Sequence, residues 1–542
     1  MELHYVFQSN LEVKVIFFMK RFFSHHWHHV LLLCIVLLAG YLRLYKISEY
    51  MTFLGDEGRD MLVVKRMIVD HKFTLLGPTA SVGGFFLGPI YYYFMLPFVW
   101  ASGMNPAGAA AMVGLFGIAT VVLLYKVGKD FIDVWTGLIA ALLYSVSPLV
   151  IAYSRSSWNP NVVPFFALSL IYLLWRAGRE MSRLSLFLIG VALGIGMQLH
   201  YLFLFLFPVV GVWFLFYGRN IKYLKLYGIG VFGFLVGYAP FLAFELRHGF
   251  PNTISITRFL LSGSDTGFNS AQFISIITDV SYRLFGRLVF RLPPPEQFVN
   301  VSLVGRLLWE SVIKFSLWAS IAMVISFLVG FLKPAWIKKG DTSWYRTMVL
   351  FAVWFIIPLV LFGFYKKGIY DYYFGIFFPL PFLFVAMLLR VLGSSRMGIV
   401  FAGIFLSILV IFNWEGRPFK FLPNNQLAQA RMIAKEAYEK AEGKPFNFAL
   451  LANFNSDHVY RYFFEIWGSP PVTIERNDVD PLRTTVTDQL IVICDLPECK
   501  PLGHPLWEIA GFGRAEVVGE WPSSFVRIMK LVHYDPIKEI NK

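Results

Sequence analysis

Residues 53–61 read FLGDEGRDM, close behind the first long apolar run of the chain, Val30–Leu44. Asp56, Glu57 and Asp60 stand there beside Arg59, in a chain whose residues are 57% hydrophobic. Ionisable side chains are costly inside hydrocarbon and are retained there for function. The side of the membrane that holds this stretch therefore decides how the rest of the chain is laid out.

The chain has 542 residues, 18% aromatic and 15% charged, with a mean hydropathy of +0.60. That is too apolar for a soluble domain and reads as a polytopic membrane protein. The net charge of +14 fits basic loops facing an anionic leaflet. No nucleic-acid-binding module is recognisable, so no nucleic-acid partner is expected. Three cysteines exclude a disulfide framework. Cys34 lies in an apolar run, while Cys494 and Cys499 in CDLPEC are spaced to pair if oxidised.

No cleavable signal is evident. Residues 1–29 form a cytoplasmic segment, and the run after it reads as an uncleaved signal anchor. Met19 is an alternative start. The cluster His25, His26, His28 and His29 reads as an interfacial patch, with metal binding as the rival reading.

A bilayer core takes about 20 apolar residues per helix. Spans are expected at 30–46, 107–126, 132–151, 160–176, 184–199, 201–217, 225–244, 309–332, 347–365, 371–390 and 397–413. If 85–103 lies at membrane level without crossing, the basic connectors YKVGKD, RAGREMSR, GRNIKYLK, KPAWIKKGDTSWYR and RVLGSSRM all fall inside. FLGDEGRDM, SRSSWNPN, LHY, ELRHG and YKKGIYDYY then share the outer face. The fold class is an all-α polytopic membrane protein of about 11–13 helices over 30–413, with outer loops at 47–106 and 245–308. In the longer loop Arg283, Arg287 and Arg291 recur every four residues, on one helical face. They read either as an interfacial helix on lipid headgroups or as contacts to a substrate phosphate. Residues 414–542 turn more charged, with a helical stretch QLAQARMIAKEAYEKA and strand-like FNFALLAN and QLIVICD, a small extracytoplasmic α/β domain.

Gly228, Gly230 and Gly233 spell G-x-G-x-x-G inside an apolar span, where small residues pack helices and no nucleotide is bound. The NVS triplet at Asn300 carries no weight. Trp158, Trp213 and Trp318 read as belt or packing aromatics.

The order of GDEGRD, LGPIYYY, YSRSSWNPN and YKKGIYDYYFGIFFPLPFL resembles the GT-C glycosyltransferases, and within them the protein O-mannosyltransferase and aminoarabinose transferase group, over roughly residues 28–413. The resemblance implies transfer of a sugar from a polyprenyl phosphate donor to a protein, lipid or glycan acceptor on the outer side of a cell membrane, with inversion. Asp56 matches the acidic position of the family and is the expected general base. Glu57 holds the acceptor or, with Asp56, binds a divalent metal ion if one is used. Arg155, Lys366 and Lys367 are candidates for the phosphate, and Arg59 is a further candidate for substrate binding. Tyr91, Tyr92 or Tyr93, His200, Tyr201, Tyr372 and Tyr373 are candidates for positioning a sugar. The rival function is a transporter or flippase of a lipid-linked sugar, which would show internal repeats and broken helices at mid-membrane; no clear duplication is present. An oligosaccharyltransferase would carry a WWDYG-like motif, which EIWGSPP and GEWPSS do not supply.

Overall fold

The computed structural model describes residues 26–217, 224–262, 265–291 and 343–535. The expected span 309–332, the sequon at 300, Trp318, and most of the segment 1–29 lie outside the described residues.

Apolar runs become helices, and polar residues set where they begin. Asn105 caps α4, Pro106–Phe131, by accepting from the Ala107 N–H at 3.0 Å, with Pro106 at the first helical position. Asp133 caps α5, Val134–Val146, through the Thr136 N–H at 2.8 Å. Among the described residues six helices are long and apolar enough to cross a membrane: α1 (His26–Leu44), α4, Asn159–Arg179, Leu226–His248, Trp344–Phe362 and Arg396–Trp414. A seventh candidate is the pair of α5 and α6, Pro148–Ser154, bent by 67°. Pro148 cannot continue the hydrogen-bond ladder of α5, which explains the break. The shorter apolar helices Arg183–Leu199, Tyr201–Tyr217 and Pro379–Leu392 fall on further expected spans. Each expected span in the described residues thus overlaps an apolar helix, though only six, or seven with the bent pair, are long enough to cross. The acidic stretch lies on α2, Gly55–Val69, and LGPIYYY leads into α3, Ile90–Ala101. At 12 residues, about 18 Å, α3 is too short to cross a core of about 30 Å.

One expectation changes in detail. Residues 371–376 are a 3₁₀ turn, and the helix there starts only at Pro379. Proline is placed well in a first helical turn and disfavours helix before it, so Tyr372 and Tyr373 sit on a connector. The glycines at 230, 233 and 237 allow the helix Leu224–His248 to lie directly on Arg183–Leu199. A Cβ on Gly237 would stand 2.9 Å from the Val191 Cα, whereas Gly228 has open space around it. This is small-residue helix packing, carried by a register shifted from the one the motif suggested.

The C-terminal region forms a four-stranded sheet in the order β1-β2-β4-β3, with β1 Asn447–Leu451, β2 Gln489–Cys494, β3 Ala515–Ser523 and β4 Val526–His533. β1 and β2 are parallel, and the other pairs antiparallel. Every residue of β2 is buried, which explains its continuous apolar run. Cys494 and Cys499 form a disulfide at its end. The helix His458–Ile466 packs on α2, with Phe53 against the rings of Tyr462 and Phe463 and Glu465 paired with Lys65 and Arg66. The glycines of GDEG make this possible: a Cβ on Gly58 would come within 2.6 Å of the His458 main chain. The acidic helix is thus sandwiched between the bundle and the sheet domain.

Candidate active site

Consecutive residues on a helix point about 100° apart, and α2 uses that to give its carboxylates different surroundings. Glu57, at the third position, accepts from the Leu54 N–H at 3.0 Å and from the Ser156 hydroxyl at 3.2 Å, and it is buried. Burial raises its carboxyl above the usual range, while the Leu54 N–H pulls the other way. Asp60, one turn on, is fully buried and accepts from Arg59 at 2.8 and 3.0 Å and from the Tyr92 hydroxyl at 3.1 Å. Burial pushes it up to about 6 against the attraction of Arg59. Asp56 alone of the three keeps water contact: its side chain is 55% exposed, with one oxygen 2.8 Å from Arg59.

Two cavities meet beside it. The larger, about 550 Å³, runs between the start of α2, the connector after α6 and residues 453–456 of the sheet domain. The smaller, about 250 Å³, is lined by Arg59, the 78–81 segment, His200, Tyr201, Tyr372 and Tyr373. Asp56 and Trp158 border both. The connectors at 56, 158, 200 and 372, separated by up to three hundred positions in sequence, therefore converge at one end of the bundle. ELRHG joins the same end, since Glu245 accepts from Asn252 at 2.9 Å and Asn252 accepts from the Phe86 N–H at 2.8 Å.

The candidate residues divide accordingly. Arg59, His200, Tyr201 and Tyr372 line the smaller cavity. The His200 imidazole accepts from the Leu202 N–H at 3.2 Å, and burial pushes it down to about 3, so it is neutral. Tyr372 packs on Trp158 at 4.3 Å. Tyr91 and Tyr92 are buried behind α2: Tyr91 pairs with the Ser157 hydroxyl at 2.9 Å, and Tyr92 donates to Asp60. Tyr93 donates to the Thr74 carbonyl at 2.6 Å.

The cations are placed differently from the sequence expectation. Arg155 is buried and donates to the carbonyls of Leu42, Tyr45 and Lys46 at 2.9–3.1 Å. Arg43 of α1 reciprocates, donating to the carbonyls of Tyr144 and Ser145 at the bend. This double clasp satisfies carbonyls that helix ends leave without partners. Lys367 pairs with Asp265 at 3.0 Å, and the Lys366 N–H donates to the Asp265 carbonyl at 2.9 Å; neither lysine lines the two cavities. The series Arg283, Arg287, Arg291 turns inward: Arg283 and Arg287 both hold Asp371, Arg283 also holds Asp279, and Arg291 donates to the Phe412 carbonyl. Arg283 and Arg287 thus belong to an ion-pair network within the protein.

Trp158 and residues 453–456 escaped the sequence reading. Trp158 looked like any belt aromatic, and the domain loop carries no motif; only its place after a buried strand marked it. Among the described residues no group of three His, Cys, Asp or Glu side chains is placed to hold a metal ion, and Arg59 occupies a face of Asp56.

This is the fold of the GT-C membrane glycosyltransferases. Residues 88–244 match the family profile of dolichyl-phosphate-mannose-protein mannosyltransferases. ArnT from Cupriavidus metallidurans bound to undecaprenyl phosphate superposes with a TM-score of 0.59 at 12% identity, over 93% of this chain and 98% of ArnT. The apo state of the same protein gives 0.51 at 12% identity, over 94% and 98%. No curated protein sequence matches the chain.

Proposed function

We propose that this chain is an integral membrane glycosyltransferase that moves a sugar from a polyprenyl phosphate donor to an acceptor on the extracytoplasmic face, with inversion and with Asp56 as general base. One observation carries the reading: Asp56 is the water-accessible carboxylate at which two cavities meet. The acceptor hydroxyl gives its proton to Asp56 while its oxygen bonds to the anomeric carbon from one side. The bond from that carbon to the phosphate oxygen breaks on the other side, and its electron pair leaves with the lipid phosphate. Arg59, on the smaller cavity, supports the charge that develops there. Glu57 fixes the first turn of α2 to Ser156. Lys366 and Lys367, on the connector that leads into Tyr372, remain candidates for drawing the donor phosphate to the site. ArnT, whose fold this chain shares, binds undecaprenyl phosphate, which supports the donor class. The Cys494–Cys499 disulfide supports an oxidising, extracytoplasmic compartment for the sheet domain.

The test is transfer of labelled sugar from synthetic polyprenyl phosphate donors by the purified chain in proteoliposomes. Asp56→Asn is expected to lower turnover by about 10²–10⁴-fold at unchanged folding. Undiminished turnover by folded mutant protein removes the base.

A further inference from the structure

Resting on that transferase reading, we infer that the larger cavity takes a neutral carbohydrate as acceptor, bound between the start of α2 and the sheet-domain loop 453–456.

Charge excludes one class of acceptor. No lysine, arginine or histidine is among the residues that line this cavity, and its acidic groups are the carboxyls of Asp56 and Glu57. An anion placed there meets carboxylates, and the nearest cation, Arg59, is already paired with Asp56 and Asp60. Arg59 borders the other cavity, so the two chambers divide the chemistry: the phosphate has a cation on one side, and a neutral polyol has amides on the other.

The polar groups present suit hydroxyls. Asn455 Oδ1 accepts from the N–H groups of Gly55 and Ser456 at 2.9 and 3.0 Å, which fixes the amide plane and leaves its Nδ2 hydrogens for a ligand. Asn161 Nδ2 donates to the Ser156 carbonyl at 2.9 Å, while its Oδ1 is buried with no hydrogen-bond partner. The fixed amide of Asn455 matches a ring bearing several hydroxyls, each of which donates and accepts. Phe454 supplies the remaining element. It lines the cavity yet is 99% exposed, so this large ring packs on nothing in the protein. An aromatic face of that kind covers the C–H side of a sugar ring.

The experiment uses the full chain in nanodiscs and saturation-transfer NMR with three probes: neutral disaccharides of mannose, glucose and N-acetylglucosamine; a glucosamine disaccharide 1-phosphate; and a Ser/Thr-rich hexapeptide. Saturable binding of a neutral disaccharide is expected, weakened about fivefold or more in Phe454→Ala. Because Phe454 is exposed, its variant folds. Preferred binding of the phosphorylated probe or the peptide overturns the inference, as does absence of any disaccharide binding or indifference to Phe454→Ala. Absence of any sugar transfer by the unmutated chain overturns the transferase reading instead, and leaves the binding result standing on its own.

Discussion

Two clusters of charge stand near the same cavities and behave oppositely. In the first, Asp56, Glu57 and Asp60 surround one cation, Arg59, and Asp56 keeps 55% of its side chain in water. In the second, Asp279 and Asp371 face Arg283 and Arg287, a balanced set in which Asp371 is 8% exposed and the arginines 12% and 13%. Charge in an apolar chain is therefore not by itself a sign of chemistry. What distinguishes the cluster proposed as the active site is an excess of carboxylate over cation and one member that solvent reaches.

Exchanging the effects of the two clusters is the sharpest way to break that contrast. Asp371→Ala leaves two half-buried guanidinium groups facing one carboxylate and is expected to cost about 3–5 kcal/mol, read as a lowered unfolding midpoint in detergent. Asp56→Asn, at an exposed position, should stay within about 0.5 kcal/mol of the parent. Equal losses of stability in the two variants would erase the distinction.

Next in size is the pH response of Asp60. Its folded pKa of about 6 lies above the unfolded value of about 3.9, so between those values the folded state holds more protons. Stability then falls as pH rises from 4 to 6, by about 2–3 kcal/mol. Asp60→Asn should flatten that slope in a series of unfolding curves; an unchanged slope would place the titrating group elsewhere.

Arg155→Leu would remove the guanidinium donor from the carbonyls of Leu42, Tyr45 and Lys46, at about 2 kcal/mol. If Arg155 is scaffold, the loss appears in stability while the Michaelis constant for donor holds; a large rise in that constant with normal stability would make it a phosphate contact after all. The smallest effect is expected from Gly58→Ala. Its methyl meets the His458 main chain and should cost about 1–2 kcal/mol, seen as faster proteolytic release of the sheet domain from the bundle.

Much of the layout was legible. Apolar runs of bilayer length gave the helices, since hydropathy acts within one segment, whereas the bend at Pro148 inside the expected span 132–151 went unread. The acidic helix and the smaller cavity's His200, Tyr201 and Tyr372 were named for the same reason: they sit on connectors at one end of adjacent spans. Arg155, Arg283 and Arg287 were not separable from substrate-binding cations, because an arginine that caps carbonyls or pairs with a distant aspartate looks the same in sequence as one that waits for phosphate.

The sequence by itself determined a polytopic membrane chain, a set of helices, a terminal α/β domain and an acidic turn placed with other polar connectors. Tertiary structure decided which of three neighbouring carboxylates meets solvent, that Trp158 divides two chambers, and that residues 453–456 complete a wall. The physical reason is range: hydrophobic burial and helix formation are set by neighbours along the chain, whereas accessibility, ion pairing and cavity shape arise from side chains hundreds of residues apart that only packing brings together.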